Sequence, residues 1–346
     1  MTSTDPTRAL IDHLVALGAD AADLDGLEAG DLIGMAGDIQ LAEGLDRTLD
    51  GFLAETGCSR EEVESVYALL GLSIDALVGF GDGDVALMSL VTADTSGIID
   101  TIGAQLLRVA GSSAARLAEA TVAAYVQDIE PQGHADIDLV VAAEENALAS
   151  ALAVVLSEQL PTVFRHHMWT AVRRQRRSQA GVESPEIVRL AVGFVDLVGF
   201  TSLSNEVSAA ELIATIEDFE VRAFEAATRH GARVVKSIGD EVMIAGPDLA
   251  AVAATAFELI AGASGDPSIA PRGGVSGGEV LFRLGDYYGP VVNLAARLTA
   301  EAVPGEVLTD LVVEPGSGIE TTPGGRRTLK GFAEPVPVWT IESVDV

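Results

Sequence analysis

Between Ala180 and Pro185 (AGVESP) the hydrophobic pattern of the chain changes period, and no single core can serve both patterns. Upstream, apolar residues recur at the three-to-four spacing of helices, and no alternating run competes with them. Downstream, Val/Ile-rich runs and alternation take over, punctuated by Gly and Pro. The 346 residues suffice for a core in each part. The expected class is α+β: an all-helical domain over 1–160, a basic connecting helix over 161–185, and a sheet-and-helix domain over 186–346.

In the first domain Ser59 and Glu62 form a capping box, after which Val63, Val66, Tyr67 and Leu70 recur on one face until Gly71 offers a stop. Longer helices are expected over Ser96–Ile129 and Asp136–Arg177, with Pro161 breaking or kinking the second. Apolar stretches such as Leu148–Leu156 are expected in the core, although they could instead line a pocket for a lipid. The short helices of Asp46–Leu77 could mimic a helix-turn-helix DNA reader, but charge decides against it. Residues 1–160 carry 28 acids against 5 arginines, 159–182 carry 5 arginines and no acid, and 183–346 carry 24 acids against 11 bases. The formal charge of −31 repels the phosphates of nucleic acid and of anionic membrane faces. A basic bar therefore lies between two acidic bodies.

A membrane span is equally unexpected, because the longest uncharged stretch, Asn146–Ser157, has 12 residues where about 20 are needed. The N-terminus, MTSTDPTRAL, has no basic region leading into an apolar run. The single Cys58 cannot form an intrachain disulfide. These features fit a cytoplasmic protein.

In the second domain Ile187–Asp196 reads as a buried strand. Ser208 and Glu211 cap a helix whose Leu212, Thr215, Ile216, Phe219 and Ala223 form one face, and Gly231 ends it. Strands over Ala232–Ile238 and Glu241–Ala245 form a hairpin across Gly239-Asp240. A helix over Leu249–Ala261, a strand region over Arg272–Arg283, a helix from Pro290 to Leu298 and three short strands complete the chain. The order β, α, β, β, α, β is that of a ferredoxin-like sheet.

The chain contains only two lysines, and both fall in segments that look built to handle a nucleoside triphosphate: Lys236 in KSIGDEVM and Lys330 in TLKGF. FVDLVGFTSLS supplies Asp196 near the end of an apolar strand, and GDYYGPVVNLAARL carries Asp286, Asn293 and Arg297. Together these segments resemble the catalytic domain of the class III adenylate cyclases over about residues 186–342. The helical half resembles, more weakly, the autoregulated pH-responsive cyclases of actinobacteria.

The resemblance implies an enzyme that turns ATP into cyclic AMP and pyrophosphate in the cytoplasm. Asp196, Asp240 and the backbone carbonyl of Leu197 would hold two divalent ions, Mg²⁺ or Mn²⁺, as carboxylates brought together from different strands can. Gly199, Phe200 and Thr201 would present backbone N–H groups to the β- and γ-phosphates. Lys236 as donor and Asp286 as acceptor suit the edge of adenine better than that of guanine. Asn293 would orient the ribose, Arg297 would stabilise the pentacovalent phosphorus, and Lys330 would bind the triphosphate. One departure is Glu279, at the position after the fourth strand's glycines where many relatives carry a phosphate-binding arginine; Arg283 is the local substitute.

The family shares its sites between chains, so a head-to-tail homodimer is implied. The alternatives are a catalytically silent nucleotide sensor, disfavoured by the complete set of catalytic positions, and a guanylate cyclase, disfavoured by Lys236 and Asp286. His166 and His167 beside the arginine run are candidate regulatory residues, since histidine changes charge most readily between about pH 5 and 8. The effector of the helical half could be a proton or a small apolar molecule.

Overall fold

A computed structural model describes residues 5–93, 103–128, 138–178, 186–200, 207–262, 270–314 and 316–345. The chain divides into two compact units, Met1–His166 and His167–Val346.

The first unit is helical. Its elements are α1 (Pro6–Leu17), α2 (Ala29–Ala42), α3 (Leu49–Thr56), α4 (Arg60–Leu70), α5 (Asp82–Thr92), α6 (Ala104–Asp128), α7 (Leu139–Glu158) and the start of α8 (Leu160–Ser178). The Ser59/Glu62 box caps α4, and Gly71 ends it in the left-handed conformation that a glycine adopts without a side-chain clash. One core gathers Phe52, Cys58, Val63, Val66, Tyr67, Phe80 and Met88, and another gathers Leu10, Leu14, Leu24, Leu32 and Ala143. The break expected at Pro161 falls at Gln159, so the proline occupies the second position of α8, where its missing N–H costs little.

One expectation for this region needs correction. Leu148, Leu152, Val155 and Leu156 are 56–62% exposed, because α7 meets the core through its first turns, at Ala142 and Ala143. Moreover, the stretch Leu139–Arg176, α7 running into α8, is long and apolar enough to cross a membrane by length and composition. Counting uncharged residues missed it because Glu144 and Glu145 interrupt the run without making the wider window polar.

The second unit is built on an eight-stranded sheet: β1 (Ile187–Val198), β2 (Arg233–Ile238), β3 (Glu241–Gly246), β4 (Ala270–Arg283), β5 (Asp286–Tyr288), β6 (Val307–Thr309), β7 (Ile319–Arg327) and β8 (Val336–Val344). The strand order is β2-β3-β1-β4-β6-β8-β7, with β5 paired to β4. The first four are antiparallel and give the ferredoxin-like arrangement expected. The strand β5 was not foreseen; it arises because Leu284 (φ 54°) and Gly285 (φ 85°) fold the chain back onto β4 in left-handed conformations.

Helices α9 (Ala209–Arg229) and α10 (Leu249–Gly262) cover one sheet face, burying Phe219, Ala223, Val252, Ala256 and Leu259 on Val195, Leu197, Val242 and Ile244. Ser208 and Glu211 cap α9 as its sequence requires. The other face holds Val188, Leu190, Val192, Phe194, Met243 and Tyr287 beside α11 (Pro290–Glu301). That helix can lie close because Gly274 of β4 presents no side chain: a Cβ there would meet Thr299 N at 2.3 Å and Ala295 O at 2.6 Å.

Candidate active site

Alternation along β1 puts Asp196 on the same sheet face as Val192 and Phe194, while Leu197 turns into the opposite core. Asp196 pairs in register with Glu241, and Asp240 occupies the turn immediately before it. Leu197 N–H donates to Asp240 O at 3.1 Å, tying that turn to β1. Three carboxylates, Asp196, Asp240 and Glu241, thus converge at the end of the β1/β3 ladder.

Their crowding shows in their acidities. Burial, reinforced by the charge of Asp196, raises the Asp240 carboxyl above the ordinary range. Burial, with Asp196 and Asp240 adding to it, pushes Glu241 up to about 7. A cation is what such a cluster lacks. Among the described residues Arg272 answers it, donating from Nε and Nη2 to Asp196 Oδ2 at 3.0 and 2.9 Å. The same guanidinium donates from Nη1 to Ala300 O at 2.9 Å and Ala302 O at 3.3 Å, the last carbonyls of α11. Arg272 therefore ties the carboxylate strand to the end of that helix, where a cation is favoured.

Sequence reasoning gave Arg272 and Glu241 no role. The available signal was an arginine four residues before the fourth strand's Ser276, but only the β1/β4 register, Asp196 opposite Arg272, gives it meaning. Glu279, opposite Arg189, pairs with it at 2.9 Å on the exposed surface, and Arg283 is exposed opposite Asp286.

Lys236 follows a bulge in β2 that shifts the register between Val234 and Lys236, a device that re-aims a side chain. Its Nζ donates to Asp286 Oδ2 at 2.5 Å, and Tyr287 N–H donates to Asp286 Oδ1 at 2.8 Å. Asp286 is thereby held from both oxygens.

Asn293 and Arg297 sit one turn apart on the exposed face of α11, while Ala295, Leu298 and Thr299 are buried beneath it. Arg297 makes no ion pair among the described residues. Gly199 turns the chain after β1 with φ 90°, and the Phe200 side chain packs on the α9/α10 core. Thr201 lies outside the described residues. Lys330 is exposed beyond β7. His166 and His167 are exposed on α8, at the division between the units.

Among the described residues no group of three or more His, Cys, Asp and Glu side chains is arranged to hold a metal ion. Two neighbouring carboxylates and a backbone carbonyl nevertheless fit Mg²⁺ or Mn²⁺, hard cations that take one or two protein carboxylates and leave positions for phosphate oxygens and water. The raised pKa values of Asp240 and Glu241 support the fit, since a bound cation stabilises the carboxylate charge that burial and neighbouring carboxylates disfavour.

Residues 182–342 match the family model described as the adenylate and guanylate cyclase catalytic domain. An adenylate cyclase of Streptomyces coelicolor is similar at 32% identity over 276 residues, covering 77% of this chain and 71% of that protein. A Mycobacterium tuberculosis protein described as a pH-sensitive adenylate cyclase is similar at 30% identity, covering 68% of this chain and 62% of its own. An uncharacterized protein of the same species is 32% identical over 320 residues, 89% of this chain and 82% of that one, so the similarity extends into the helical half.

Proposed function

Taking as premise that the chain belongs to the class III adenylate cyclases, we propose that it converts ATP to 3′,5′-cyclic AMP and pyrophosphate, at sites shared between two copies and regulated by the helical unit. In this reaction the ribose 3′-hydroxyl loses its proton and its oxygen bonds the α-phosphorus. The bond from that phosphorus to the β-bridging oxygen breaks, and pyrophosphate leaves with its electrons.

Asp196, Asp240 and the Leu197 carbonyl would hold two divalent ions, which supply Lewis-acid activation of the hydroxyl and charge relief at the phosphates. Arg272 keeps one oxygen of Asp196 fixed and leaves the other to face the site. Lys236 and Asp286 read the base: an ammonium donates to a ring nitrogen, and a carboxylate accepts from the exocyclic amine. Their mutual hydrogen bond orders both side chains before a purine arrives, lowering the cost of positioning them. Asn293 and Arg297, solvent-facing on α11, meet the ribose and the α-phosphate of a substrate held by the partner copy's carboxylates. Arg297 brings a full positive charge to the developing negative charge at phosphorus.

The observation that carries this reading is the pairing of Lys236 with Asp286 in the same sheet that carries the Asp196/Asp240 carboxylates. Purified protein incubated with ATP and Mg²⁺ or Mn²⁺ should form cyclic AMP. Asp196→Ala and Asp240→Ala should each abolish that while leaving the circular dichroism spectrum unchanged. Undiminished product from either variant overturns the assignment.

Regulation rests on the position of His166 and His167 in a basic segment between acidic bodies, and on the similarity of the helical half to that of a pH-sensitive relative. Protonation would add charge beside Arg165 and Arg173 and change how the segment engages acidic surfaces.

A further inference from the structure

Within the second unit, the C-terminal half of α8 and the rim of the sheet enclose a cleft of about 350 Å³ lined by Trp169, Arg173, Arg174, Arg189, Leu190 and Tyr287, among others. No acidic residue lines it. Arg189 is already offset by Glu279, whereas Arg173 and Arg174 form no ion pair among the described residues.

Arg174 is half-buried, and burial, with the like charge of Arg233, pushes its guanidinium below the ordinary value. Arg233 stands 5.0 Å over the ring of Tyr287, and its buried Nε has no hydrogen-bond partner. A half-buried guanidinium facing a second one beside the same aromatic ring, with no ion-pair partner for either among the described residues, is costly in the free protein. A small anion would offset that cost. Arginine's planar fork suits phosphate oxygens in particular. Trp169, 67% exposed at the same cleft, offers a flat face for a base or other ring.

We propose that this cleft binds a small phosphate-bearing anion, either inorganic pyrophosphate or a mononucleotide. The inference does not rest on the catalytic reading: none of Asp196, Asp240, Lys236, Asp286, Asn293 and Arg297 lines the cleft.

Calorimetric titration of the full chain with pyrophosphate, and separately with AMP, in metal-free buffer containing EDTA is the test. One saturable site per chain is expected for at least one ligand, weakening as salt is added. Arg173→Ala, which removes an exposed side chain and does not threaten folding, should weaken binding about tenfold, and Arg174→Gln at least as much. Lys236→Ala and Arg297→Ala should leave it unchanged. A preference for AMP that Trp169→Ala removes would identify a mononucleotide; a preference for pyrophosphate that Trp169→Ala leaves intact would identify the inorganic ligand.

Melting gives a second readout. Arg174→Gln should melt no lower than the parent without ligand at low salt, because a like-charge contact is removed, and should lose the ligand-induced rise in melting temperature. Absence of saturable binding at millimolar ligand overturns the proposal. So does equal weakening by Arg297→Ala, which would put the ligand in the catalytic site, or full binding in Arg174→Gln.

Discussion

Gly274→Ala tests how α11, the helix proposed to bring Asn293 and Arg297 to the substrate, is seated. The added methyl would stand 2.3 Å from Thr299 N, 2.6 Å from Ala295 O and 2.7 Å from Leu298 C, all backbone atoms of α11, where ordinary contact begins at 3.4 Å. Backbone cannot swing aside as a flexible side chain can, so the helix must lift from β4 by about 1 Å. Overpacking of this kind costs about 1–3 kcal/mol. The lift also strains the hydrogen bond from Thr299 Oγ1 to Phe194 O, 3.2 Å long, and carries Asn293 and Arg297 with it. A displacement of about 1 Å in a positioning element can cost about 10²-fold in rate. The expected outcome is a lower melting temperature and cyclic AMP turnover reduced by about two orders of magnitude. Gly34→Ala in α2, where an added Cβ meets nothing within 4 Å, is the control and should gain up to about 1 kcal/mol. Parental melting and turnover in Gly274→Ala would refute the argument that close seating of α11 on Gly274 sets the position of Arg297.

Lys236→Glu combined with Asp286→Cys should collapse turnover of ATP far more than of GTP, and an unchanged ratio would move base recognition elsewhere. Asp196→Ala and Arg297→Ala, each inactive alone, should regain partial activity when mixed under subunit exchange, because a heterodimer confines both lesions to one site; demonstrated mixed dimers without recovery would argue against shared sites. The full chain should respond to acid between pH 8 and 6, with activation the expected sign, and His166→Ala with His167→Ala should flatten the cyclic AMP profile. A parallel profile in that double variant would return the basic segment to a solvated helix.

Sequence by itself determined much of this protein, and for local reasons. The capping boxes at Ser59 and Ser208 are read within four residues, and the structure forms both. The apolar run of Ile187–Asp196 and the Gly239-Asp240 turn, likewise local, set the β1 and β2–β3 elements and hence the fold class. Lys236 stood out as one of two lysines and Asn293 and Arg297 by their four-residue spacing, whereas the roles of these residues and of Asp286 came from the resemblance of their segments to the class III cyclases.

Tertiary structure decided what depends on register and on which faces find partners. Arg272 acquires meaning only because β4 runs antiparallel to β1 with Asp196 opposite it, a pairing across 76 residues that local pattern does not contain. Glu241 becomes a perturbed acid only when the closed sheet buries it and brings Asp196 beside it. The apolar stripe Leu148, Leu152, Val155 and Leu156 reads as core because periodicity shows that a face is apolar and not whether anything covers it; here α7 spends its first turns on the core and leaves the stripe exposed. Side-chain pattern is carried along the chain, whereas register, burial and charge pairing are properties of segments far apart in sequence, fixed only when the whole sheet closes.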